Sequence, residues 1–162
     1  MKKFITLFVF VFILIGLTGC KGNGPKEITK DEIFNQEGKY LVYFSKDNCE
    51  DCKNTNSIIK EYLKEVNSGE YEKAKTIYKV NLSKEENASI FRTYDKVAVG
   101  LGDGQGDGTF FVDGVTSADK LYIGATASLI LIATDSSGKK FATFVASGYE
   151  DITTYLQNQL TK

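Results

Sequence analysis

The chain carries three cysteines, Cys20, Cys49 and Cys52, and no histidine at all. Without histidine there is no Ser–His or Cys–His catalysis and no His-ligated zinc or haem. Chemistry must come from Cys, carboxylates, Lys, Tyr or the backbone. Cys49-Glu50-Asp51-Cys52 is a CxxC motif. Structural zinc takes four Cys or His ligands in a tetrahedron, and this pair offers two, which sets a zinc site aside. Two readings remain for thiols so spaced: a redox pair, or a static structural disulfide. The redox reading has a mechanism when CxxC follows a strand and opens a helix. The helix N-terminus presents unpaired N–H groups and a positive dipole end, which stabilise a thiolate at the first cysteine. The second cysteine, one turn in, can attack a mixed disulfide. Glu50 and Asp51 suit the dipole, but their field disfavours the adjacent Cys49 thiolate. A less stabilised thiolate makes a less oxidising disulfide. No metal and no cofactor is expected.

The elements around the motif have the required character. At 162 residues, 42% hydrophobic and 25% charged, the chain has the size and composition of one globular domain. Its formal net charge of −1 lacks the basic excess of a nucleic-acid binder. Thr29 and Glu32 fit a capping box, predicting a short helix to about Gly38. Lys39 to Ser45 (KYLVYFS) reads as a buried strand. From about Cys49 to Asn67, Ile58, Ile59, Tyr62, Leu63 and Val66 recur at helical spacing. Thr76 to Leu82 alternates like a strand, and Glu85 to Tyr94 fits a short helix. Ser128 to Thr134 (SLILIAT) and Lys140 to Ser147 (KFATFVAS) flank a Ser-Ser-Gly turn. Ser147 with Glu150 fits a second capping box, and Ile152, Tyr155, Leu156 and Leu160 mark a closing amphipathic helix. There is no internal repeat.

On KYLVYFS, CEDCK, KVNLS, ATASLILI, the Gly turn and the closing helix, residues 28–162 resemble the thioredoxin superfamily. The resemblance implies an α/β fold, a thioredoxin-like three-layer sandwich with a mixed central sheet and flanking helices. It implies Cys49 and Cys52 as the catalytic pair and Cys49–Cys52 as the redox disulfide. Lys53 and Lys79 match family lysines, and Lys79 is expected to modulate a nearby thiolate. Other positions depart from the pattern. Tyr43 stands where the family has a buried Asp that deprotonates the second cysteine, and a phenol with pKa near 10 is a poor base at pH 7. Ser45 and Asn48 occupy positions that often carry Trp. Ala127 falls where the family has a cis-Pro facing the disulfide. A cis bond before a non-proline residue costs about 2.5–4 kcal/mol, so Thr126–Ala127 is expected to be trans, with a weakened substrate groove.

The first twenty residues read as processing information. Lys2 and Lys3 precede an apolar stretch, and Leu17-Thr18-Gly19-Cys20 resembles the lipobox of bacterial lipoproteins. The alternative, an uncleaved transmembrane helix, is disfavoured because the apolar run is shorter than the ~20 residues a bilayer needs. The expected organisation is a signal peptide over 1–19, lipidated Cys20 with a flexible tether over 20–27, and the domain over 28–162. Lipid at Cys20 would hold the protein on the extracytoplasmic face of the cell membrane, where disulfides persist.

Residues 96–122 are expected to form a long loop insertion. Loops of this length inside a compact domain are uncommon and often functional. Asp103, Asp107 and Asp113 among glycines faintly resemble a calcium loop, but Gly114 stands where such a loop ends in Glu, and a Gly/Asp turn is the favoured reading. Thr109-Phe110-Phe111-Val112 is expected either to add a hairpin arm or to cover the CxxC; an exposed Phe110 and Phe111 would indicate partner docking. Two functions fit the sequence. One is a monomeric, membrane-anchored thiol–disulfide exchange protein, reductase-like, acting on exported or surface protein disulfides and re-reduced by a membrane electron donor. The other is a non-catalytic accessory lipoprotein, similar to thioredoxin-like bacteriocin-transport accessory proteins, holding an unknown envelope protein and stapled by Cys49–Cys52. Neither involves nucleic acid.

Overall fold

The computed structural model describes residues 24–71, 73–94 and 110–161. The signal segment, Cys20 and the Gly102–Gly108 turn lie outside the described residues. A five-stranded mixed sheet forms the centre, in the order β1-β3-β2-β6-β7. Its strands are β1 (Lys26–Glu27), β2 (Tyr40–Ser45), β3 (Ile77–Asn81), β6 (Ser128–Thr134) and β7 (Lys140–Ser147). β1, β3 and β2 run parallel, whereas β6 is antiparallel to both β2 and β7. A separate two-stranded antiparallel pair joins β4 (Phe110–Phe111) to β5 (Tyr122–Ile123). Two helices, α1 (Glu50–Ser68) and α2 (Tyr149–Gln159), pack against each other on one face of the sheet.

The alternation of side chains along a strand assigns the two faces. Leu41 and Tyr43 of β2, Ile77 of β3 and Leu129 of β6 point toward the helices, where they bury Ile59, Tyr62 and Leu63 of α1 and Ile152 and Leu156 of α2. Tyr40, Val42 and Phe44, with Ile130 and Ile132, face the other way. That face is covered by short segments: Ile33, the 3-10 helix Glu85–Ile90 through Ile90, and the insertion through Val112, Val115, Leu121 and Ile123. Every residue of β2 is buried, as a central strand covered on both faces requires.

The described part of the insertion, from Phe110, is thus a hairpin arm, on the sheet face opposite α1 and the CxxC. Phe110 and Phe111 are half-buried: Phe110 packs on Phe144 (4.6 Å between ring centres) and Phe111 stacks on Tyr94 (4.8 Å). Partners within the domain therefore account for both rings. The arm also caps the outer edge of β7. The Ala142 N–H donates to the Val115 carbonyl (2.8 Å), and the Phe144 N–H donates to Asp113 Oδ1 (2.7 Å). Asp113 closes a sheet edge.

Three local expectations are corrected. Thr29 and Glu32 do close a capping box, with the Thr29 N–H donating to Glu32 Oε2 at 2.8 Å, yet the helix is one 3-10 turn, Lys30–Glu32. After Phe34 the sequence is polar, so a further turn has nothing to bury. At α2 the N-cap is Gly148, because β7 runs on through Ser147, whose hydroxyl donates to the Ala127 carbonyl (3.2 Å). Lys26 and Glu27, both placed above in the tether, pair with Tyr78 and Lys79; two charged residues are too few to show a strand's alternation.

Candidate active site

The site is built at the carboxyl end of β2. Its last residue, Ser45, is buried, and the chain then turns through Asn48, at φ 57°. Asn is among the few residues that tolerate this left-handed conformation. The turn delivers Cys49 to the N-cap of α1, with its sulfur accepting the Cys52 N–H at 3.1 Å. Cys49 and Cys52 are joined in a disulfide. The two sulfurs differ in access: Cys49 is half-buried, whereas Cys52 is 2% exposed and packed among Tyr43, Ile59 and Ala127. Glu50 and Asp51 occupy the exposed first turn of α1.

Tyr43 lies directly behind Cys52 and donates its hydroxyl to the Cys52 carbonyl at 3.1 Å. Burial pushes its pKa well above the ordinary phenol value, and the nearby Asp51 carboxylate adds to the shift. The neighbouring Thr55, whose fully buried hydroxyl makes no hydrogen bond of ordinary geometry, opposes that shift. Tyr43 therefore stays neutral across the working pH range and acts as a donor, never as a base.

Thr126 approaches from the other side, its hydroxyl donating to the Cys49 sulfur at 3.6 Å. The Thr126–Ala127 peptide is cis, which corrects the expectation of a trans bond. That expectation weighed the local cost alone. In the folded chain Ala127 is completely buried, and its carbonyl, on the following peptide unit, accepts from the Gly148 N–H (2.8 Å) and the Ser147 hydroxyl (3.2 Å), which tie this loop to the end of β7. The Ser128 hydroxyl donates to the Ala125 carbonyl and ties the same loop. Sequence reasoning missed Thr126, as it did Lys46 and Lys60 of the groove described below. The only signal for Thr126 was adjacency to Ala127.

Lys79 of β3 pairs in register with Tyr43 and reaches the same site. An open groove of about 860 Å³ runs beside the disulfide, lined by Cys49, Cys52, Lys46, Lys53, Lys60 and Lys79, with Asp47 and Glu50 among its other residues. Of the residues singled out from sequence, Asn48, Cys49, Glu50, Cys52, Lys53 and Lys79 line this one groove. Asp51 stands on the exposed first turn beside it, and Ala127 is buried in the same core cluster as Cys52. Cys20 lies outside the described residues. Among the described residues no cluster of three or more Cys, Asp or Glu side chains is arranged to hold a metal ion.

The sheet order, the helix pair and a CxxC disulfide at the start of α1 define a thioredoxin-like α/β domain. No family model and no curated protein matches the sequence. Among solved structures the chain is similar to the Trx4 domain of ERdj5 (11% identity, TM-score 0.48, covering 85% of this chain and 96% of that one). It is also similar to chloroplastic thioredoxin z (10%, TM-score 0.42, 84% and 94%) and to Chlamydomonas reinhardtii thioredoxin f2 (16%, TM-score 0.40, 86% and 100%).

Proposed function

We propose that this protein is a membrane-anchored, extracytoplasmic thiol–disulfide exchange protein that acts as a reductase on exported or surface proteins. One observation carries the reading: Cys49 caps α1 at the edge of an open groove, with the Cys52 N–H directed at its sulfur and Cys52 buried behind it. An outer nucleophile with an inner resolving thiol is the arrangement that exchange requires. In the reduced protein the Cys49 thiolate attacks one sulfur of a substrate disulfide. That S–S bond breaks, and the departing sulfur leaves as a thiolate and takes a proton from water. Cys52 then attacks the Cys49 sulfur and displaces the second substrate thiolate. The substrate has gained two electrons and two protons, and the Cys49–Cys52 pair has lost them. A dithiol protein at the membrane restores the pair by the same exchange in reverse.

Anchoring through Cys20 is part of this proposal. Only four residue steps separate Cys20 from Gly24, a reach of about 13–14 Å at full extension, so the domain would work close to the bilayer surface. No helix among the described residues is long and apolar enough to cross a membrane.

The experiment is mechanism-based trapping in the native envelope. Replacing Cys52 with Ser removes the resolving thiol, so mixed disulfides through Cys49 should accumulate. Replacing Cys49 should trap far fewer, since Cys52 is 2% exposed. The competing reading, an accessory lipoprotein stapled by a static disulfide, draws support from Tyr43. A neutral phenol in place of a carboxylate leaves no base behind Cys52. If the Cys52→Ser protein captures nothing and the wild type reduces no disulfide, the accessory reading stands.

A further inference from the structure

The groove beside the disulfide is cationic in a protein that is not. Lys46, Lys53, Lys60 and Lys79 line it against Asp47 and Glu50, a local excess of positive charge in a chain whose formal net charge is −1. Among the described residues no carboxylate lies within salt-bridge distance of any of the four ammonium groups; the ion pairs are elsewhere, at Lys30–Asp31 and Lys84–Glu27. Asp47 is partly occupied, accepting the Asn81 side-chain amide at 3.1 Å. Lys46, also on the lining, is held over the Phe91 ring, 4.0 Å from its centre. Lys53 and Lys60 are exposed along α1 and extend the positive lining away from the sulfurs. Between the lysines stand Asn48, Asn56 and Ser57, side chains able to hydrogen-bond a peptide backbone.

We infer that this groove selects acidic polypeptide: the substrates are protein segments whose disulfide is flanked by Asp or Glu, seated along Lys53, Lys60 and Lys79 with the reactive sulfur at Cys49. The inference rests on the exchange reading for why the groove exists, but it concerns binding, which can be measured apart from turnover. Electrostatic complementarity of this kind steers encounter and excludes oppositely charged partners more than it adds raw affinity. A peptide is favoured over an anionic lipid surface because the lining is a concave groove with amide and hydroxyl groups interleaved and a disulfide at one end.

The test uses the full-length oxidised protein in neutral detergent and two fluorescent peptides of equal length without cysteine, one Glu-rich and one Lys-rich, read by anisotropy. The acidic peptide should bind at least about tenfold more tightly, and the difference should collapse as salt rises from about 0.05 to about 0.5 M. Lys53→Glu with Lys60→Glu should abolish the preference, whereas Lys64→Glu, on an exposed turn of α1 outside the groove, should leave it in place. Equal binding of both peptides, no binding of either, or a preference that survives the double substitution overturns the inference. So does tight binding to phosphatidylglycerol vesicles without binding to the acidic peptide. Because binding is read on oxidised protein with cysteine-free peptides, it is independent of turnover: selective binding here, with no disulfide reduced by the dithiol form in a separate assay, would defeat the exchange reading and leave the groove's specificity standing.

Discussion

The Cys52 N–H directed at the Cys49 sulfur stabilises that sulfur when it is a thiolate, while Glu50 and Asp51 on the same turn oppose it. Lys53 and Lys79 in the same groove pull the other way. Behind the pair, Tyr43 supplies a hydrogen bond and no charge. Tyr43→Phe should therefore cost the oxidised protein about 1 kcal/mol in a denaturation experiment, the ordinary worth of one hydrogen bond. The helix leaves the Cys52 carbonyl a backbone partner, so nothing is orphaned. The same substitution should leave the disulfide-exchange rate at pH 7 unchanged. A tenfold slower exchange in Tyr43→Phe would mean that the hydroxyl acts on the thiol, contrary to the role assigned to it. Thr126 is the other residue whose place becomes clear only in three dimensions: it reaches Cys49 from 77 residues away in sequence.

At the scale of elements, the arm joining β4 to β5 replaces helices as the cover over one face of the sheet, and Asp113 fastens it to the exposed edge of β7. An open edge strand is a template for aggregation, and capping it is a common protection. Asp113→Ala should destabilise the protein by about 1 kcal/mol and speed hydrogen exchange selectively at the Phe144 amide. Unchanged protection at Phe144 would show that Asp113 does not hold that edge. The elements that carry the site were legible in the sequence because each satisfies a strong periodic rule. KYLVYFS is a nearly unbroken apolar run, Ile59, Tyr62 and Leu63 repeat at helical spacing, and CEDC falls between them. The cis bond at Ala127 was not legible, since the preference of the dipeptide alone is trans and the burial of Ala127 belongs to the folded chain. The arm's position was not legible either. Val112, Val115, Leu121 and Ile123 are apolar at no regular period, so their shared burial follows from tertiary packing.

For the whole molecule, buried phenols set an alkaline limit. Tyr40 donates to the Ile33 carbonyl at 2.7 Å, and burial pushes its pKa up to about 12; Tyr43, Tyr62 and Tyr155 are raised for the same reason. A phenol whose folded pKa exceeds its unfolded value near 10 contributes stability that is complete below pH 10 and is lost as pH rises toward the folded value. Stability should thus be level with respect to these groups at pH 7–9 and fall from about pH 10 to about 12, in step with tyrosinate absorbance. Ionisation of all the tyrosines near pH 10 in the folded protein would contradict this. The central claim, that Cys49–Cys52 exchanges electrons with other thiols, is tested most directly by the pair's reduction potential, measured on the full-length protein equilibrated against glutathione and dithiol buffers. The carboxylates at Glu50 and Asp51 place it toward the reducing end of the exchange-active range, near −270 mV and above −300 mV. A value below about −300 mV, where structural disulfides lie, or a bond that no buffer opens in the folded state, would contradict the account.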